Sequence, residues 1–269
     1  MRKEQQAIGI FDSGIGGLTV ARAVASRLPN EKIIYFGDTA RVPYGIKSEE
    51  VIERYAREIT RFLKERRVKA ILIACNSVSA VAGQAVREEA EEIPVLDVIT
   101  AGTESAVASG AVKTGVIGTL ATIGSGAYNR SLEEAAPGTE IVSQACPLLV
   151  PLAEEGWTDN EIAMKTLELY LNPFLNNGVG ALILGCTHYP LFRDSIQALF
   201  KGRDIRVIDS ADAIAGKTEQ MLKERGLRAT DNTEGGFECY VTDRPQRFQE
   251  LATRFLGRNI PDVKIVHLP

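Results

Sequence analysis

The chain has 269 residues, 45% of them hydrophobic and 25% charged, with a formal net charge of −4. This balance suits a soluble globular protein with one large core or two modest ones, and it offers no basic footprint for nucleic acid or an anionic membrane, so neither is expected as a partner. The opening MRKEQQAIGIFDSG lacks the apolar stretch of a signal peptide, and no run of about 18 apolar residues occurs, so a cytoplasmic location is expected. Four cysteines (Cys75, Cys146, Cys186, Cys239) then read as free thiols rather than a disulfide framework. With no CxxC pair and two histidines in all, no metal site is predicted.

In chain order, Ile8–Phe11 is the first predicted strand, and DSGIGG (Asp12–Gly17) follows it and opens a helix over Leu18–Leu28. A second strand, Ile33–Phe36, leads to the Pro- and Gly-containing turn VPYGIKS (Val42–Ser48). Ser48–Arg67 is the clearest helix. Val51, Ile52, Tyr55, Ile59, Phe62 and Leu63 form one stripe, charges lie opposite, and Ser48 stands at the N-cap. Further strands are predicted at Ala70–Ala74, Val95–Ile99, Gly115–Gly118, Glu140–Val142, Ala181–Leu184 and Ile205–Ile208. The tail continues with helix (Ala211–Arg225), strand (Gly236–Val241), helix (Pro245–Leu256) and a short strand (Val263–His267). Most strands are continuous apolar runs, as strands buried on both faces of a parallel sheet must be. The class is therefore α/β with layered helices.

Two segments echo each other. VKAILIACNS and VGALILGCTH are each a strand followed by cysteine and small polar residues, and the cysteines, Cys75 and Cys186, stand 111 positions apart. Upstream, IGIFDSGIGG and TGVIGTLATIGS each run from strand into small and hydroxyl residues; Asp12 precedes Cys75 by 63 positions and Thr119 precedes Cys186 by 67. The echo predicts two similar α/β units facing each other, each giving a strand-end loop to a shared cleft, with Cys75 and Cys186 on opposite walls. The expected division is residues 1–98 plus 210–269 for the first unit and 99–209 for the second.

Cys146 and Cys239, in ACPLLVP and FECYV, read as small buried hydrophobes. Cys75 and Cys186 differ: each follows a buried strand where chemistry is displayed, beside Asn-Ser or Thr-His. A single nucleophilic cysteine with a histidine would suit a hydrolase or acyl transferase. Two in quasi-symmetric positions suit removal of a proton from one face of a carbon and its return to the other, one group starting as thiolate and the other as thiol. Asp12 and His188 are the available tuners, one on each side. DSGIGG permits three readings: a tight turn with close helix–strand packing, a phosphate cradle, or a carboxylate holder using main-chain N–H groups and Ser13. It is neither GxGxxG nor GxxxxGK[ST], which counts against a nucleotide. Glu154 in PLAEEG is not singled out by its own context, and His267 reads as a surface or packing residue.

The ordered segments IGIFDSGIGGLTV, GDTARVPYG, CNSVSA, GVIGTLATIGSGAY, ACPLLVPLAEEG and LILGCTHYPLF resemble the glutamate racemases of bacterial wall synthesis, over about Ile8 to Asp209. The resemblance implies two Rossmann-like or flavodoxin-like α/β domains related by a pseudo-twofold, with the active site between them. It implies a cofactor-independent isomerase acting on glutamate, with aspartate or another acidic amino acid as the alternative within the superfamily. Cys75 would act on D-glutamate and Cys186 on L-glutamate, assisted by Asp12 and by His188 with Glu154. Substrate contacts carry over to Asp12, Ser13, Tyr44, Gly45, Asn76, Ser77, Thr119, Thr122, Thr187 and His188. A homodimer is the implied assembly. The family often has Thr where this chain has Ser77, which keeps the hydroxyl, and Ala where it has Val78.

Overall fold

A computed structural model describes residues 2–175, 177–230, 235–260 and 262–268. The strands are β1 (Ile8–Asp12), β2 (Lys32–Gly37), β3 (Ala70–Ile73), β4 (Val95–Asp97), β5 (Lys113–Gly118), β6 (Glu140–Ala145), β7 (Ala181–Gly185), β8 (Arg206–Asp209), β9 (Gly236–Val241) and β10 (Val263–Ile265). They form two parallel sheets, ordered β10-β9-β2-β1-β3-β4 and β6-β5-β7-β8. Removing β9 and β10 leaves the same order twice, with β1 matching β5, β2 matching β6, β3 matching β7 and β4 matching β8. This is the order of a doubly wound sheet whose switch point lies beside the first strand, where ligand crevices form at the strands' carboxyl ends.

The helices are α1 (Leu18–Arg27), α2 (Glu49–Glu65), α3 (Asn76–Ala90), α4 (Val98–Ala108), α5 (Leu120–Gly124), α6 (Ala127–Ala135), α7 (Leu149–Glu155), α8 (Glu161–Leu175), α9 (Arg193–Leu199), α10 (Ser210–Glu224) and α11 (Pro245–Leu256). Alternate side chains of a strand point to opposite faces, so each sheet feeds two cores. Ile8, Ile10 and Leu72 meet α1, α10 and α11, while Phe11, Ile71 and Ile73 meet α2 and α3. In the second sheet Leu182 and Leu184 pack with α7–α9, and Ile183 packs against Ile99 of α4 and Tyr128 of α6. Coverage of both faces explains why the strands read as unbroken apolar runs.

Several predicted boundaries are corrected. Val95–Ile99 is a strand only to Asp97, because Asp97 Oδ1 accepts from Thr100 N at 2.9 Å and starts α4 at Val98. Val263–His267 shortens to Val263–Ile265, and Ile205–Ile208 shifts to Arg206–Asp209. Glu140–Val142 extends to Ala145. Ser48 holds the N-cap position of α2, yet its hydroxyl makes no cap bond and lies 3.3 Å from Glu50 Oε2.

A buried charge pair ties remote segments of the first sheet's layer. Lys69 Nζ pairs with Glu31 and donates to the main-chain oxygens of Glu4 and Leu227, each at 2.8 Å, while Glu31 Oε1 accepts from Ala229 N at 2.8 Å. Both side chains are almost wholly buried. Such a pair adds little net stability, but removing one partner strands a charge at a cost of about 3–5 kcal/mol.

Candidate active site

The four matching strand ends converge. Asp12 ends β1, Cys75 follows β3, Thr119 follows β5 and Cys186 follows β7. Both cysteines line one cavity of about 280 Å³ between the sheets. That is near the lower end of the roughly 300–1,000 Å³ of small-molecule sites, and it suits a metabolite far better than a dinucleotide.

The loop DSGIGG serves close packing. A Cβ on Gly17 would stand 2.5 Å from Asp12 Cβ, so only glycine lets α1 start directly against the end of β1. A Cβ on Gly16 would stand 2.2 Å from Thr187 Oγ1 and 2.5 Å from His188 Nδ1, so this glycine lets the two halves touch. Thr19 Oγ1 strengthens that contact by donating to Thr187 O at 3.0 Å, and Tyr35 OH holds the loop through Gly14 O at 2.9 Å.

On the first wall, the Cys75 thiol donates to Ser13 Oγ at 3.5 Å. Burial, and then the neighbouring Asp12 charge, push the Cys75 pKa up to about 12. Asp12 is itself buried behind the cavity wall. Its Oδ2 accepts from Gly14 N at 2.9 Å, while Oδ1 has no partner among the described residues. Burial raises the Asp12 pKa, opposed by the Gly14 N–H and by the His188 charge.

On the second wall, His188 Nε2 lies 3.1 Å from Glu154 Oε1, and Nδ1 lies 3.9 Å from Cys186 Sγ. Burial works against the imidazolium, but the hydrogen bonds to Cys186 and Glu154 outweigh it and bring His188 to about 10. The same bond holds Glu154 below the usual carboxylate range. Cys186 therefore has a positive neighbour that is itself anchored by a carboxylate.

The remaining predicted residues fall into two groups. Ser13, Tyr44, Gly45, Asn76, Ser77, Thr119 and Thr187 line the cavity with the cysteines, His188 and Glu154. Asn76 Oδ1 accepts from Tyr128 OH at 2.8 Å, and the buried Nδ2 has no partner among the described residues. Ser77 Oγ and Thr119 Oγ1 meet across the cleft at 3.2 Å. Asp12 and Thr122 stand behind the wall. Thr122 Oγ1 is 3.0 Å from Thr119 Oγ1, and Thr119 caps α5 by accepting from Thr122 N at 3.1 Å. Tyr44 is buried and its hydroxyl donates to Asp38, which also takes bonds from Arg41 and Thr242. Its phenol thus anchors the loop. Val42, Ile46, Leu120, Pro147, Val150 and Pro151 also line the cavity and were not foreseen, because apolar residues near a turn carry no distinguishing pattern. Cys146 and Cys239 are fully buried and His267 is exposed, as expected.

Residues 18–218 match the Asp/Glu/Hydantoin racemase family. A glutamate racemase of Syntrophus aciditrophicus (strain SB) is 51% identical over 98% of both chains. The chain belongs to the glutamate racemase family. Among solved structures, glutamate racemase from Francisella tularensis subsp. tularensis SCHU S4, in complex with D-glutamate, is similar with a TM-score of 0.91 and 41% identity over 98% of each chain. A glutamate racemase isoform from Bacillus anthracis gives 0.93 and 37% over 99% of each. The family likeness extends to α11 and β10, well past the last segment that carried the resemblance in sequence.

Proposed function

We propose that this chain interconverts L- and D-glutamate by passing a proton across the α-carbon between Cys75 and Cys186. The observation that carries the reading is that both thiols reach one cavity from equivalent strand ends, each with its own ionisable partner. The relatives at high identity, and the Francisella structure with D-glutamate, support glutamate as substrate.

For D-glutamate, Cys75 as thiolate removes the α-proton and Cys186 as thiol delivers one to the opposite face; for L-glutamate the roles reverse. Asp12 Oδ1 accepts and returns the Cys75 proton, and His188, held by Glu154, does the same for Cys186. Asn76 Nδ2 and the hydroxyls of Ser13, Ser77, Thr119 and Thr187 supply donors for the substrate's carboxylates, and Tyr44 and Gly45 close one side. The α-proton is very weakly acidic and a thiolate is a modest base. Preorganised donors in a water-poor cavity must therefore stabilise the developing negative charge. No cofactor enters this step. We further propose that residues 1–98 with 210–269, and residues 99–209, form the two domains, that the enzyme is a cytoplasmic homodimer, and that its product supplies peptidoglycan synthesis.

The test is incubation with L-glutamate in deuterated water with a reductant. The expected result is D-glutamate carrying solvent deuterium at the α-carbon. Exchange of aspartate with glutamate untouched would overturn the substrate. Exchange of neither would overturn the reaction.

A further inference from the structure

The C-terminal helix α11 belongs to the first sheet's core, yet it reaches the second wall of the site. Phe255 is fully buried in that core beside Leu251 and Ala252, and its ring meets the His188 imidazole edge-to-face, with centroids 5.2 Å apart and planes at 80°. One residue earlier, the Arg254 guanidinium donates to the main-chain oxygen of Glu154. It also lies over Gly156, the left-handed cap of α7, where an added Cβ would come within 2.8 Å of Arg254 Cζ. Arg247, two turns back, faces Glu155 at 3.8 Å. These contacts fall on both members of the His188–Glu154 pair and come from the opposite half of the molecule.

We infer that α11 is a positioning element for the Cys186 half of the site: Phe255 sets the plane of the His188 ring and Arg254 sets the end of α7 that carries Glu154. This rests on the two-thiol reading above. An aromatic edge-to-face contact restrains a ring without competing for its nitrogens. Nδ1 thereby stays directed at Cys186 and Nε2 at Glu154. A guanidinium on a carbonyl at a helix C-terminus satisfies an otherwise orphaned acceptor and fixes the last turn. Among the described residues α11 makes no hydrogen bond, ion pair or ring contact with Cys75 or Asp12; on that side Phe248 meets Tyr35, with centroids 6.1 Å apart, and neither is an ionisable partner of Cys75. Loss of the α11 contacts at His188 and Glu154 should therefore damage one half-reaction more than the other.

Racemisation alone cannot reveal this. The two enantiomers have equal free energy, so kcat/KM must fall by the same factor in both directions. A glutamate bearing chlorine at its β-carbon separates the halves. One thiolate removes the α-proton, the C–H electron pair forms the Cα–Cβ double bond, and chloride leaves. The enamine tautomerises and is hydrolysed by water to 2-oxoglutarate and ammonium. This step needs one base only, Cys186 for the L compound and Cys75 for the D compound.

Phe255→Leu keeps an apolar side chain in the core, and Arg254→Met alters an exposed side chain, so folding of the second does not depend on the first. Each should slow elimination from the L compound about tenfold or more, with the D compound changed less than about twofold. Equal slowing of both compounds, or slowing of neither, by Arg254→Met overturns the inference, as does selective loss with the D compound. The underlying reading is tested separately by Cys186→Ala and Cys75→Ala. If these do not remove the L and D reactions respectively, the two-thiol assignment fails, and the positioning role fails with it.

Discussion

Gly16→Ala isolates the contact between the two halves of the site. The added Cβ would lie 2.5 Å from His188 Nδ1, about 0.9 Å short of the 3.4 Å at which ordinary contact begins, and closer still to Thr187 Oγ1. Thr187 can turn its hydroxyl away, but His188 is held at both ring nitrogens and by Phe255. The backbone of Gly16 is not in the left-handed region, so alanine adds no backbone strain and reduces unfolded-state freedom by about 0.4–1 kcal/mol. Overpacking costs about 1–3 kcal/mol, leaving a net loss of at most a few kcal/mol. Displacing a proton-transfer group by nearly 1 Å is worth far more in rate, about 100-fold. The expected outcome is a fall in kcat of that order, read by polarimetry with either enantiomer, with a melting temperature lowered by only several degrees. Gly124→Ala is the control, because its Cβ would meet nothing within 4 Å and its backbone is not left-handed. Retention of kcat within about twofold in Gly16→Ala would refute the claim that this close approach sets the catalytic geometry.

Cys75→Ala and Cys186→Ala should each abolish racemisation, since a proton taken from one face can then no longer be returned to the other; more than about a hundredth of the normal rate in either variant would exclude the two-base reading. Stability should depend on pH through His188. Its folded pKa of about 10 exceeds the ordinary imidazole value of 6.5, so its stabilising contribution is complete below 6.5 and is lost as pH rises through 10. The slope is at most about 1.4 kcal/mol per pH unit. Urea unfolding of the wild type should show this decline, and Glu154→Gln should flatten it. Parallel curves for the two proteins would rule out the Glu154 bond as a cause.

The positions of the strands were largely legible because buried parallel strands must be apolar on both faces, and the Cys75/Cys186 echo carried the duplication that the two sheets repeat. The ends were harder to read. Asp97 is both the last residue of β4 and the cap of α4, and apolar Val98 and Ile99 suit either state. Within the site, strand-end position pointed to Asp12, Cys75, Thr119 and Cys186. Whether a side chain forms the wall or stands behind it depends on rotamers and neighbours, so the anchoring role of the Tyr44 phenol and the supporting place of Thr122 were hidden. Phe255 was hidden more deeply. An apolar residue on an amphipathic helix signals burial, and nothing local marks which other unit it will touch.

The two halves repeat in topology but not in chemistry, and the reaction tolerates that. At matching strand ends the first half places a buried carboxyl beside its cysteine, and the second places an imidazolium backed by Glu154. Burial and Asp12 together keep the proton on Cys75, while positive charge sits beside Cys186. Cys75 is therefore disposed to act as the acid. In the proposed reaction that is the arrangement for L-glutamate. The bias cannot favour D-glutamate at equilibrium, because mirror-image solutes have equal free energies in water. It can only redistribute the barrier between the two proton transfers and the return of the free enzyme to its starting state. An uneven pair of tuners is thus compatible with an even equilibrium, and the unevenness belongs in the isotope effects for the two directions.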